Sequence, residues 1–187
     1  MWRYRHKIRP TFLKIGGRGS QNLSPALTNF RGSTPQANPK TKKQQNGLLH
    51  MPTPATIQTI LAMDAQERFE YFIQTCVETG ELWGLRNNEG WCGMGTEDGG
   101  DSIPFWPAEP FAALMADEEW SDCSPESIPL DGFLEEWLPG MHDDGVCAAV
   151  FPIPGDAAST VMDCVTLEGQ QLYDALMDEY ERHEKNT

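Results

Sequence analysis

The chain has 187 residues, with 14 Lys+Arg against 28 Asp+Glu, a formal charge of −14 and 39% hydrophobic residues. That length supports one domain with a true core, since domains of roughly 100–150 residues already bury most of the surface of the unfolded chain. The acidic excess argues against a nucleic-acid-binding body, because phosphate contacts rest on clustered Lys and Arg.

The charge is unevenly distributed. Residues 1–50 hold ten basic residues and no acid, whereas residues 51–187 hold 4 basic against 28 acidic residues, or −24. The first stretch also runs through Gly16, Gly17, Gly19, Pro25, Gly32, Pro35 and Pro39 without an apolar period, so it is read as a basic disordered leader. Three origins remain open for it: an upstream extension of a chain that starts at Met51, a targeting peptide, or a working basic arm. Residues 51–187 are then a single acidic domain. No run reaches the ~18 apolar residues of a membrane span, and no apolar signal core follows the basic start, so the expected compartment is the cytoplasm. The five cysteines, Cys76, Cys92, Cys123, Cys147 and Cys164, are odd in number and lack C-x-x-C spacing. They indicate neither a disulfide framework nor a zinc site, and buried thiols are expected.

In chain order, Ile57, Ile60 and Leu61 suggest a short first helix. Asp64 and Glu67 have capping-box spacing, followed by an apolar face of Phe69, Phe72, Ile73, Cys76 and Val77 and a stop at Gly80. Beyond Gly80 the pattern shortens to runs at residues 82–85 and 91–94, separated by Asn87-Asn88-Glu89-Gly90, which is a hairpin signal. A third strand is expected over 103–106, and Pro104 limits it to an edge or an irregular course. Residues 107–116 read as a helix with Phe111, Leu114 and Met115 on one side. An extended piece at Ile128 and Leu130 leads to a helix with Asp131 as its cap, ended by Pro139-Gly140. Strands over 146–151, the first stopped by Pro152, and 161–165 precede a last helix, capped by Thr166, with Leu172, Tyr173, Leu176, Met177 and Tyr180 inward. The pattern is α+β: a small, mostly antiparallel sheet with helices packed on one face.

Five tryptophans, Trp83, Trp91, Trp106, Trp120 and Trp137, crowd one stretch, and in so small a domain most of them belong to the core. Trp106, between Pro104 and Pro107, is the expected exception. The acids at Glu97-Asp98 with Asp101, at Asp117-Glu118-Glu119 and at Asp143-Asp144 lack the spacing of a loop metal site and read as solvated. There is no G-x-S-x-G elbow, and a His142–Cys147 dyad would require the strand to fold back on its preceding turn. No cofactor, metal ligand or catalytic residue is therefore assigned.

The segments Trp83-x-Leu85, Glu89-Gly90-Trp91, Ile103-Pro104-x-Trp106-Pro107, Trp120, Ile128-x-Leu130-x-x-Phe133, Trp137-Leu138-Pro139 and Val150-Phe151-Pro152 resemble a small bacterial family, domain of unknown function 2750, over roughly residues 68–165. The resemblance implies a bacterial cytoplasmic domain and brings no activity with it. The residues and the charge together point to a non-enzymatic protein-binding or regulatory module, adaptor- or immunity-like, with a basic protein as partner. The candidate partner-binding residues are Phe105 and Trp106 as apolar anchors and Asp117, Glu118 and Glu119 as an acidic patch. The alternative is an enzyme with a carboxylate- or metal-dependent site near Trp106 and the Glu97–Asp101 loop.

Overall fold

Local signals start and stop the first helices of the computed structural model, which describes residues 5–8, 52–95, 100–116, 120–155 and 162–186. Thr53 caps α1 (Pro54–Leu61), its hydroxyl accepting from the Thr56 amide while Pro54 occupies the first turn. Asp64 and Glu67 form the full capping box of α2 (Ala65–Thr79), and Gly80 closes it in the left-handed region at φ 72°. The buried face of α2 is Arg68, Phe72, Ile73, Cys76 and Val77.

Seven strands follow one curled, mostly antiparallel sheet: β1 (Arg5–Ile8), β2 (Glu81–Asn87), β3 (Gly90–Gly95), β4 (Asp101–Phe105), β5 (Ser124–Pro129), β6 (Cys147–Pro154) and β7 (Met162–Leu167). Their order is β5-β2-β3-β4-β6-β7, with β1 also paired to β3. Within the basic leader, residues 5–8 are thus strand; the remainder of that reading lies outside the described residues. The β2–β3 turn is held by Asn87, whose side-chain oxygen accepts from the amides of Glu89 and Gly90. Among the described strands only β4 and β6 run parallel, and their connection contains α3 (Glu109–Met115), β5 and a long helix, as a crossover requires.

Pro104 does not put β4 at the sheet edge. The ladder to β3 ends at Ser102, so at Pro104 the strand is paired with β6 alone and the proline interrupts no second ladder. Past β4, Trp83 and Trp106 exchange backbone hydrogen bonds at 2.8 Å in both directions and bring β2 directly against the end of β4.

The helix after β5 continues where a stop was expected. It comprises an α-turn (Leu130–Gly132), a π-helical stretch (Phe133–Trp137) and a second α-segment (Leu138–Asp144), together α4, and it ends at Gly145, not at Pro139-Gly140. Pro139 is tolerated because the wider π-turn, in which the Leu138 amide reaches back to Phe133, sets it at the start of a new α-segment, where its missing N–H costs least. The last helix, α5 (Gly169–Asn186), buries Leu172 and Leu176 and leaves Tyr180 exposed; Thr166 is not its cap but a β7 residue opposite Ala149. Helix α5 packs on α2 and on α4, all three contact β6, α2 also contacts β7, and α3 lies against β2 and β5. The result is the expected α+β architecture, to which residues 5–8 add a strand from outside 51–187.

Between them, aromatic rings fill the core in three groups, one of them Trp106 edge to face with Trp120. Tyr71, Phe111 and Phe151 join α2, α3 and β6, and Trp91, Phe105, Phe133 and Trp137 join β3, β4 and α4, mostly edge to face.

Candidate functional site

Phe105 and Trp106, the expected apolar anchors, are both fully buried. The reason lies in β6. Its pairing with β7 slips between Val150 and Ile153, Phe151 takes φ 48°, and the bulge turns two carbonyls inward. Trp106 Nε1 donates to the Pro152 carbonyl at 3.0 Å, and Arg68 Nε donates to that of Phe151 at 3.4 Å. Trp106 therefore serves the core, with an indole N–H that satisfies a bulge. Trp91 is buried as well, and Trp83, Trp120 and Trp137 pack against the core while partly exposed. Trp106, read from its flanking prolines as the exception, is the most deeply buried of the five.

Asp117, Glu118 and Glu119 lie outside the described residues, as do Glu97 and Asp98; Asp101 at the start of β4 is exposed. The partner reading and the carboxylate alternative therefore have no geometry at these acids, and the alternative loses Trp106 as a substrate-facing ring. Among the described residues no group of three or more His, Cys, Asp or Glu side chains is placed to hold a metal ion.

The cysteines depart from the expectation of thiols only. Cys92 of β3 and Cys123 just before β5 are bonded as a disulfide across 31 residues. Both flank Arg86 of β2, which pairs in register with Trp91 on one side and Ser124 on the other, so the curl of the sheet brings them together. Sequence spacing could not reveal this pair, because connectivity follows from strand order. Cys76, Cys147 and Cys164 are free. Burial pushes all three thiols up from their ordinary value, with Glu81 adding to the effect at Cys76, Glu168 at Cys147 and Asp163 at Cys164. That is the opposite of what activates a cysteine nucleophile.

Solvent-facing apolar surface gathers elsewhere, between α1 and α3. Phe111, Ala112 and Met115 of α3 turn toward the core, which leaves Pro110, Ala113 and Leu114 on the opposite face at i, i+3 and i+4. Leu114, expected inward, is 48% exposed. Pro54, Ile57 and Gln58 of α1 form the facing wall of a groove of about 420 Å³. The sequence signal was present in the helical period of residues 110–114, but the composition alone did not show which face the core would take.

Electrostatics add a second feature. Each of the four Lys and Arg residues of the acidic body is in an ion pair: Arg68–Asp163 at 2.9 Å, Arg86–Glu126 at 2.7 Å, Arg182–Glu179 at 2.6 Å and Lys185–Glu181 at 3.4 Å. Against these four cations residues 51–187 hold 28 acidic residues.

The family model described as "Protein of unknown function (DUF2750)" matches residues 69–170, more than half of the chain. The chain belongs to this family, a class of α+β domain to which the description attaches no activity. No curated protein and no solved structure matches it. Among the described residues, no helix is long and apolar enough to cross a membrane.

Proposed function

We propose that the chain is a non-enzymatic protein-binding or regulatory module, adaptor- or immunity-like, whose acidic body engages a basic protein. The observation that carries this reading is the charge of residues 51–187, 28 acidic residues against 4 basic ones, with all four of those cations in ion pairs. A field of one sign steers an oppositely charged partner and rejects like-charged ones. It also disfavours an anionic substrate such as a nucleotide or a phosphorylated sugar.

The test is capture by the full chain in parallel with a variant carrying Asp117→Asn, Glu118→Gln and Glu119→Gln. The expected result is a basic protein retained at low salt, released as ionic strength rises and held more weakly by the variant. Binding that is insensitive both to salt and to the three substitutions overturns the reading.

A further inference from the structure

The middle of β3 takes its ladder from a distant part of the chain. Strand β2 pairs with β3 only beside their turn, at Arg86–Trp91 and Asn87–Gly90, and further along it meets β4 instead at Trp83–Trp106. The ladder to β4 covers only Met94 and Gly95. Among the described strands, Cys92 and Gly93 are therefore paired by β1 alone, opposite Lys7 and His6. Both residues are buried, where each backbone group left without a partner costs free energy. The Cys92–Cys123 bond and the edge-to-face contact of Trp91 with Trp137 tie the same segment to the body independently of β1.

The strand that fills this edge is basic. It comes from a stretch, residues 1–50, with ten basic residues and no acid, and it lies on a body of charge −24. Around it the cations recur at every second position, Arg3, Arg5, Lys7 and Arg9, with Tyr4, His6 and Ile8 between them. That is the period of an extended strand with one charged face. When a strand is added to a sheet edge, main-chain bonds supply affinity and side chains select the sequence. The family match over residues 69–170 includes the accepting strand but not the added one, so the edge belongs to the family domain and the strand on it is supplied from outside.

We infer that this edge of β3 is the strand-addition site for the basic partner, which adds an extended segment with cations at alternate positions in place of residues 5–8. This rests on the basic-partner reading above and assigns it a place on the sheet and a backbone conformation. Residues 5–8 are then an internal competitor. The site opens only when β1 leaves, and the partner's apparent affinity falls in proportion to the fraction of chains in which the edge is open.

The probe is a synthetic peptide of residues 3–9, titrated into the full chain and into two full-length variants. His6→Pro removes an amide from the middle of β1, and Arg5→Glu with Lys7→Glu keeps the strand but reverses its charge. A second peptide of the same sequence, N-methylated along its backbone, keeps the charge and loses the capacity to pair. Circular dichroism with a thermal melt establishes that the variants fold. The expected result is that the unmodified peptide binds both variants about tenfold tighter than the unaltered chain, as for an edge that β1 fills about nine-tenths of the time. Hydrogen exchange at the amides of residues 91–94 should quicken in both variants, and the unmodified peptide alone should slow it again. Equal binding of the two peptides, or no gain in either variant, overturns strand addition while the acidic-surface reading stands. Failure of both peptides on every form at low salt overturns the two together. A dimer of the unaltered chain that His6→Pro dissolves overturns the inference in favour of a second copy, with residues 5–8 of one chain on β3 of the other.

Discussion

Arg68 of α2 donates to the carboxylate of Asp163 on β7 at 2.9 Å, joining residues 95 positions apart. The two partners stand in different media. Arg68 is fully buried and also donates to the carbonyls of Met63, Phe151 and Asp163, whereas the Asp163 side chain is half exposed. Arg68 is thus a hub that satisfies a helix end, a bulge and a strand, and the carboxylate only completes its shell.

This asymmetry predicts unequal mutational costs. Arg68→Met strands three carbonyls and a carboxylate at once and should cost about 3–5 kcal/mol, the scale of breaking a buried charge network from one side. Asp163→Asn keeps an acceptor in place at a solvent-exposed position and should cost roughly 1 kcal/mol or less. Equilibrium unfolding in guanidinium measures both, and equal costs would show that Arg68 gains its stabilisation from the carboxylate alone.

Trp106 is a stability probe. Trp106→Ala empties a fully buried indole site and should cost about 3–5 kcal/mol. Trp106→Phe retains a ring but leaves the Pro152 carbonyl without its donor, for about 1–3 kcal/mol. Any loss of partner capture by Trp106→Ala should therefore follow the loss of folded protein in a melt, and a folded variant that still loses its partner would return Trp106 to the interface.

Two helical glycines should respond in opposite directions to the same change. At Gly169 a Cβ would stand 2.4 Å from the Leu138 carbonyl oxygen, so Gly169→Ala must push α5 off α4 and should cost about 1–3 kcal/mol. At Gly132 the backbone is already helical, with φ −64°, and nothing lies within 4 Å of a Cβ, so Gly132→Ala should stabilise by about 0.4–1 kcal/mol. Shifts of opposite sign in the melting temperature are the expected pattern.

What was legible in the sequence had short-range causes. The capping box at Asp64 and Glu67, the stop at Gly80 and the turn at Asn87 each depend on groups within a few residues, and each appears as read. Arg68 was hidden because a charge beside an apolar stripe reads as solvent-facing unless its acceptors are known, and two of those acceptors are more than 80 residues away. Phe151 and Pro152 carry no local sign of a bulge, yet that bulge is what takes Trp106 inward. Pro139 misled for a related reason: a proline stops an α-helix, and only the preceding π-turn lets α4 continue. The groove follows from which face of α3 the core selects, and Leu114 sits on the face it leaves.

The cysteines give a prediction in which redox state and pH act separately. The Cys92–Cys123 bond closes a loop of 31 residues, and on the chain-entropy account its removal should cost roughly 3–4 kcal/mol. The neighbouring Arg86–Glu126 pair and the Asn87–Asp122 hydrogen bond are exposed and compensate little. Denatured protein alkylated at lysis should therefore show Cys76, Cys147 and Cys164 alone as thiols where the compartment is oxidising, and all five where it is reducing, with a lower melting temperature in the second case. Alkalinity acts on the free thiols instead. As pH climbs past about 8.5 the unfolded chain releases their protons while burial holds them in the folded state, above all at Cys76. The unfolded state then binds fewer protons, so stability falls with rising pH until the raised folded-state value is reached. Cys76→Ala should flatten that alkaline slope and leave the effect of reductant intact, whereas a slope unchanged by the substitution would place the titrating group elsewhere.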